Sequence, residues 1–449
     1  MRLFQAAVLI VAAAHFANLL PTSLNFARFA FGDNGWPITV DELLYEGKVP
    51  DTDFAYFYGL LTLAIDRAAF AVFGRTPATV VGLYGICSLT VAWGMARVLA
   101  SARLKPLPAL LLVVCAAMAS IPRGFPSPAH ALEAAFLMTA VAEHAAGRPS
   151  RSLVLTVLAV FVKPSLGFLY GLLLVGLILR GWPGGASRWR PLLPAVGVAA
   201  ALLAGLVIAY GMQAVVATLV PVNAAKMYSG KMGFLFGEGR LFWRPNYPDW
   251  DYYIFGVPGI WLAATLVMAI TAVRVLPRWR EPWANAAAAC MVLHLVFVVA
   301  LFGNQFSWIY YPYLLFTGVA VGLNVLPGWV RVPLAVVLIL LAVTGQSEWL
   351  WQGDFEKWTS TTSSPATAGL YAPPEEAARW QEIRSLGEAN PGRVLVLTAM
   401  GCPQTLPPGA VRGPRWWCLN PRIWTPAERS EAIRAVNGAN WIVSPVWHD

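Results

Sequence analysis

Residues 39–59 read TVDELLYEGKVPDTDFAYFYG. The segment is acidic, aromatic and rich in turn formers, and it follows closely on an apolar stretch, 3–20, that reads as a helix. Apolar runs recur from there to residue 350, several of them long enough as helices to cross the roughly 30 Å hydrocarbon layer. Carboxylates are rarely set beside a bilayer without a use for them. The segment therefore reads as the first external loop of a polytopic α-helical membrane protein, and its acids are the first candidates for chemistry.

Composition agrees with that class. The chain has 449 residues, 58% of them hydrophobic and 12% charged, with a mean hydropathy of +0.59. A soluble domain carries about 25% charged residues. The net charge of +9 suits anionic lipid headgroups. No compact basic tract of the kind that binds phosphate backbones is present, so nucleic acid is not an expected partner. Residues 3–20 lack a small-residue cleavage site, end at Asn18-Leu19-Leu20-Pro21 and precede further spans, so they read as a retained first helix and not a signal peptide. Cys87, Cys115 and Cys290 read as packing residues in apolar helices. Cys402 and Cys418 form a disulfide if the tail lies in an oxidising compartment and brings them together.

Candidate spans fall at 3–20, 78–100, 107–121, 130–145, 152–162, 166–180, 192–212, 254–273, 283–302, 308–326 and 332–350, about eleven by hydropathy. Basic residues load every second connector: Arg103/Lys105, Arg148/Arg151, Arg180/Arg188/Arg190, Arg274/Arg278/Arg280 and Arg331. With Arg2, they put the N-terminus in the cytoplasm and the tail outside. The expected layout is a membrane module over 1–350 with a first external loop at 21–77 and a large external loop at 213–253. A linker at 351–374 and a small extracytoplasmic α/β unit at 375–449 follow. That unit reads as a helix at 375–387, a strand at 394–397, a helix opened by Thr425-Pro426-Ala427-Glu428, and a strand at 441–444.

Within the loop, Thr39-Val40-Asp41-Glu42 fits a capping box, with Thr39 at N-cap and Glu42 returning to the Thr39 amide. Glu42 then has a structural use. Asp41 has none beyond the helix dipole, and Tyr45, at i+4, shares its face. Val49–Phe54 turns the chain back, and residues 59–73 read as a helix along the membrane surface carrying Asp66 and Arg67. Gly74-Arg75-Thr76-Pro77 ends it and opens the next span with Thr76 at N-cap and Pro77 at N1.

Asp41-Glu42…Tyr45, Pro50…Asp53-Phe54, Tyr58-Gly59 and Phe73-Gly74 stand in the order and spacing of a pattern in GT-C membrane glycosyltransferases, and this loop resembles that family. Val162-Lys163-Pro164…Gly167 resembles a V-K-P-x-x-G motif found later in such chains. Two departures are plain: Leu60 stands where a proline follows Gly59 in the pattern, and the W-W-D signature of oligosaccharyltransferases is missing. The resemblance implies a polyprenyl-phosphate sugar donor, Asp41 as catalytic base with Glu42 as the neighbouring catalytic candidate, and Tyr45, Asp53 and Tyr58 as substrate-binding positions. It also implies donor-phosphate binding by Lys163, for which snorkelling is the alternative.

Other candidates come from the residues themselves. Arg123, His130 and Glu133 gather at the second external loop, with Arg123 as a phosphate contact and Glu133 as a second acid or half of an ion pair. Arg240 and Arg244, with Lys226 and Lys231, interleave with aromatics in the large loop, a pattern that suits a phosphate and a sugar face or, alternatively, anionic lipid. No metal-ligand spacing is present, so a divalent metal has no ligand motif behind it. The expected activity is transfer of a hexosyl or pentosyl group to a lipid, glycan or protein acceptor at the outer face of a bacterial inner membrane. A lipid-linked glycan polymerase or ligase and a transporter are the alternatives.

Overall fold

The computed structural model describes residues 1–30, 33–119, 128–181, 189–220, 257–301, 312–347, 362–364, 367–396, 402, 405–412 and 426–443. It is mostly helical, and a helix lies at each of the eleven apolar runs. These are α1 (Arg2–Ser23), α5 (Pro77–Ser101), α6 (Pro106–Ala119), α7 (Pro128–Ala145), α8 (Pro149–Val162), α9 (Leu166–Leu179), α10 (Leu193–Tyr210), α12 (Val257–Val275), α13 (Pro282–Leu301), α14 (Pro312–Asn324) and α15 (Gly328–Ser347). Between them stand α2 (Phe26–Ala30), α3 (Trp36–Tyr45), α4 (Leu60–Phe73) and α11 (Met212–Leu219). Two described helices, α5 and α10, are both long and apolar enough to cross a membrane by length and composition; further apolar stretches run 10–17 residues. α1 continues through Pro21 to Ser23, past the expected stop at Asn18–Pro21.

Local signals explain most boundaries. Thr76 caps α5 by accepting the Thr79 amide at 3.2 Å, and Pro77 takes N1, where its missing N–H costs nothing. Gly74, at φ +84°, stops α4 in a conformation L side chains avoid. Lys163-Pro164 separates α8 from α9, because proline cannot continue a helix.

Side-chain contacts give the helix directions. Gln5 donates to the Ala96 carbonyl at 3.2 Å and Phe16 packs on Gly85, so α1 and α5 are antiparallel. Ser152 donates to Ala140 at 2.8 Å while Lys163, at the far end of α8, meets His130 and Glu133; α7 and α8 form a hairpin. Gly167 lies on Ala159–Val160 and Gly171 on Thr156, so α9 folds back along α8. Residues 152–180 are therefore two antiparallel elements.

Four of the five basic connectors meet at one end. Asn324 accepts the Lys105 amide at 2.8 Å and donates to Ala102. His144 pairs with Asn285 at 3.1 Å, and Asn285 donates to Trp279. Arg97 reaches Glu143. The alternation of charge along the chain is thus an alternation of ends in the bundle, with residues 24–76 and 163–165 at the opposite end.

The tail folds as α16 (Pro374–Ala389), β3 (Val394–Val396), β4 (Val411–Arg412), α17 (Pro426–Gly438) and β5 (Trp441–Val443), with a parallel sheet in the order β4–β3–β5. A two-residue antiparallel pair, β1 (Thr362–Ser363) with β2 (Tyr371–Ala372), precedes it. The unit docks on the first loop. The Tyr371 amide donates to Leu24 at 3.0 Å, Trp380 meets Phe26 edge-on at 5.0 Å, and Glu428 accepts the Ala55 amide at 3.3 Å. Cys402 is buried there beside Gly35. Cys418 and Thr425 lie outside the described residues.

Candidate functional site

The first loop folds differently from its capping signal. α3 begins at Trp36 with Gly35 as N-cap, and Thr39 sits in the first full turn, its hydroxyl donating back to the Gly35 carbonyl at 3.2 Å. The Thr39–Glu42 capping box does not form. Trp36-Pro37 wins because proline is pre-organised at N1/N2, which moves the N-cap from Thr39 to Gly35, four residues upstream. Asp41 is then mid-helix and buried, and Glu42 is half-buried beside it.

Asp41 is held by two guanidiniums. Arg75 Nε donates to Oδ2 at 2.7 Å, and Arg67 Nε lies 3.4 Å from Oδ1. Tyr45, one turn further on, is exposed and carries the Arg75 guanidinium 5.5 Å over its ring. The shared face expected for Asp41 and Tyr45 is thus bridged by one arginine. The sequence reading missed Arg67 and Arg75 as site members. The usable signal was Asp66-Arg67 inside the otherwise apolar run 60–73, where charge is costly without a partner.

Asp66 is buried on α4 near enough to Asp41 to sense its charge. Burial first, and Asp41 second, push its carboxyl well above the usual carboxylate range. Tyr56 is buried beside it, its phenol raised by burial and by Asp66. Tyr210, at the end of α10, lies close enough to Arg67 to feel its charge. A carboxyl pushed upward next to one clamped by guanidiniums is the kind of contrast that separates acid from base roles in a site.

A second group lies around Lys163. Its ammonium donates to His130 Nδ1 at 2.9 Å and stands 3.6 Å from Glu133 Oε2. Burial pushes the Lys163 amine down, and Glu133 opposes the shift. Glu133 is fully buried; its Oε1 accepts Ser165 Oγ at 2.6 Å, Leu166 N at 3.1 Å and Gly167 N at 3.4 Å. It therefore caps α9 from a neighbouring helix, satisfying amides that have no partner within α9. Of the two roles expected for Glu133, the geometry favours the structural one. Tyr58 is buried and meets His130 edge-on at 5.8 Å.

The two groups are joined where the two sequence motifs touch. Gly59 N donates to the Val162 carbonyl at 2.8 Å and Thr62 Oγ1 to the same oxygen at 3.1 Å. A Cβ on Gly59 would overlap the Phe161 carbonyl, so this approach requires glycine. Asp53 stands in the preceding turn, its carboxylate accepting the Val49 amide at 2.7 Å. That is a turn-forming position. Asp51, at φ +59°, makes the turn in the left-handed region that Asp tolerates.

Arg123, Arg240, Arg244, Lys226 and Lys231 lie outside the described residues. Among the described residues no group of three or more His, Cys, Asp or Glu side chains is placed to hold a metal ion. His294 bonds Thr265 at 3.1 Å. No protein-family model, curated protein or solved structure matches this chain.

Proposed function

We propose that the chain is a multi-pass membrane glycosyltransferase of GT-C type, taking one sugar from a polyprenyl-phosphate donor to a lipid, glycan or protein acceptor on the non-cytoplasmic face of a bacterial inner membrane. The observation that carries this reading is the Gly59–Val162 junction. It sets a carboxylate with two guanidiniums and a lysine–histidine pair at one end of an apolar helical bundle, the end away from the basic connectors. In the reaction Asp41 takes the acceptor hydroxyl proton and the oxygen attacks the anomeric carbon. The bond from that carbon to the phosphate oxygen breaks with inversion, and polyprenyl phosphate departs as an anion. Arg67, Arg75 and Lys163 are the cations available to hold that anion.

The carboxylate needs freeing from Arg75 or Arg67 to act as base, and the departing phosphate is itself a ligand that competes for those guanidiniums. A second reading, a lipid-linked glycan ligase leaning on external arginines, is favoured by that same double clamp. One comparison decides between them. The chain is reconstituted in vesicles with polyprenyl-phosphate sugars and an acceptor extract, and products are read by mass spectrometry. Loss of transfer in Asp41→Asn supports the first reading; transfer kept in Asp41→Asn but lost in Arg75→Gln supports the ligase. Reporter fusions at Ala186 and after Asp449 test the sidedness and are expected on opposite faces.

A further inference from the structure

At the end of the bundle opposite Asp41, a second buried carboxylate gathers three guanidiniums. Glu143, near the end of α7, meets Arg97 Nη2 at 3.1 Å, Arg148 Nη1 at 3.1 Å and Arg151 Nη1 at 3.9 Å. Among the described residues it is the one carboxylate within ion-pairing reach of any of the three. Three positive charges against one negative leave an excess of two. The exposure is graded: the Glu143 side chain is 6% exposed, Arg97 28%, Arg148 46% and Arg151 71%. The acid is inside and the arginines reach in to it from more exposed positions, each still holding donors that one carboxylate cannot occupy.

Two more features point to a phosphate on a lipid. Arg148 is the N-cap of α8 and Arg151 lies in its first turn, so the positive end of that helix dipole faces the same spot. On α5, Ile86, Leu89, Trp93 and Arg97 follow one another at three- and four-residue steps along one face. The first three are exposed, and the Arg97 guanidinium lies 4.8 Å over the Trp93 ring. An exposed apolar stripe that ends in a tryptophan and then a guanidinium has the profile of acyl chains leading to a headgroup.

We infer that Arg97, Arg148 and Arg151, set in place by Glu143, form a binding site for the phosphate of an anionic phospholipid, with its acyl chains along Ile86, Leu89 and Trp93. This rests on the membrane reading above but not on the transferase chemistry. The site is a specific one within a generally basic end.

The test uses the full chain in phosphatidylcholine vesicles doped with phosphatidylglycerol, followed by native mass spectrometry of the lipids it retains. The wild type is expected to retain phosphatidylglycerol selectively. Arg151→Gln, which leaves Glu143 its two nearer partners, should lower that selectivity roughly fivefold, and the Arg148→Gln/Arg151→Gln pair roughly 25-fold. Arg280→Gln, at the same end but outside the cluster, should leave it unchanged. Equal losses for Arg280→Gln and Arg151→Gln would reduce the site to diffuse surface charge and overturn the inference. Displacement of phosphatidylglycerol by matched inorganic phosphate would overturn the lipid assignment. A chain that fails to float with vesicles defeats the membrane reading itself, whereas one that floats without selectivity defeats this inference alone.

Discussion

Asp41 and Glu143 are built from the same parts and sit at opposite ends of the bundle. Each is a buried carboxylate clamped by guanidiniums that reach in from a more exposed position. Their neighbours separate them. Around Asp41 stand a second acid, Asp66, the phenols of Tyr45, Tyr56 and Tyr210, and, across the Gly59 junction, Lys163 and His130. Around Glu143 stand arginines and a tryptophan. An ion pair by itself says nothing of chemistry. A second buried acid beside it whose carboxyl is pushed upward, with cations close by, is what makes the Asp41 end a candidate for proton transfer. The Glu143 end is equipped only to hold an anion.

The largest expected effect breaks that contrast directly. Asp41→Asn should lower sugar transfer ~10²–10⁴-fold, measured with donor in reconstituted vesicles. Its partly exposed arginine pairs contribute only about 1 kcal/mol to stability, so melting should change little. Glu143→Gln should leave transfer within a factor of a few. If Glu143→Gln is the inactive variant and Asp41→Asn is not, the two ends have been assigned the wrong way round.

Next in size is Glu133, an acid the geometry assigns to holding α9. Glu133→Ala removes four contacts and takes from buried Lys163 its carboxylate partner, at a cost of about 3 kcal/mol, seen as a lower Tm. Glu133→Gln can still accept from the α9 amides and should keep most of the stability and activity. An inactive but fully stable Glu133→Gln would return Glu133 to the chemistry.

Gly59→Ala tests the junction between the two motifs. The added methyl meets the Phe161 backbone, and overpacking of this kind costs about 1–3 kcal/mol. Transfer should fall alongside stability, because Asp41 and Lys163 lose their common frame. Wild-type melting with lost transfer would show that the junction sets geometry alone.

Asp66 gives the smallest effect and the clearest sign. Its carboxyl is raised in the fold, so the native state holds a proton that the unfolded state has lost. That contribution is full below the ordinary aspartate value of about 4 and is lost as pH rises through the raised native value. Asp66→Asn should remove this pH dependence and stabilise the protein at neutral pH, read as Tm against pH. An unchanged profile would mean that another group titrates.

Much of the helical layout was legible in the chain. Apolar runs, Thr76-Pro77 and Lys163-Pro164 mark helices and breaks through local chemistry, and basic residues load every second connector, as expected of connectors gathered at one end of a bundle. The start of α3 was not, because two valid start signals, with N-caps at Gly35 and Thr39, lie four residues apart and compete within one local window. The β4 strand was also missed; a two-residue segment has no periodicity to read.

The sequence by itself determined that these helices form and where most of them end, because capping, proline geometry and hydropathy are local properties. Tertiary structure alone decided the partners. Asp41 finds Arg67 and Arg75, 26 and 34 residues away; Glu133 spends itself on the start of α9; and Gly59 meets Val162 across about a hundred residues of chain. Nothing in a local window encodes such pairings. They exist because buried polar groups must be satisfied by whatever the packed helices bring within about 3 Å.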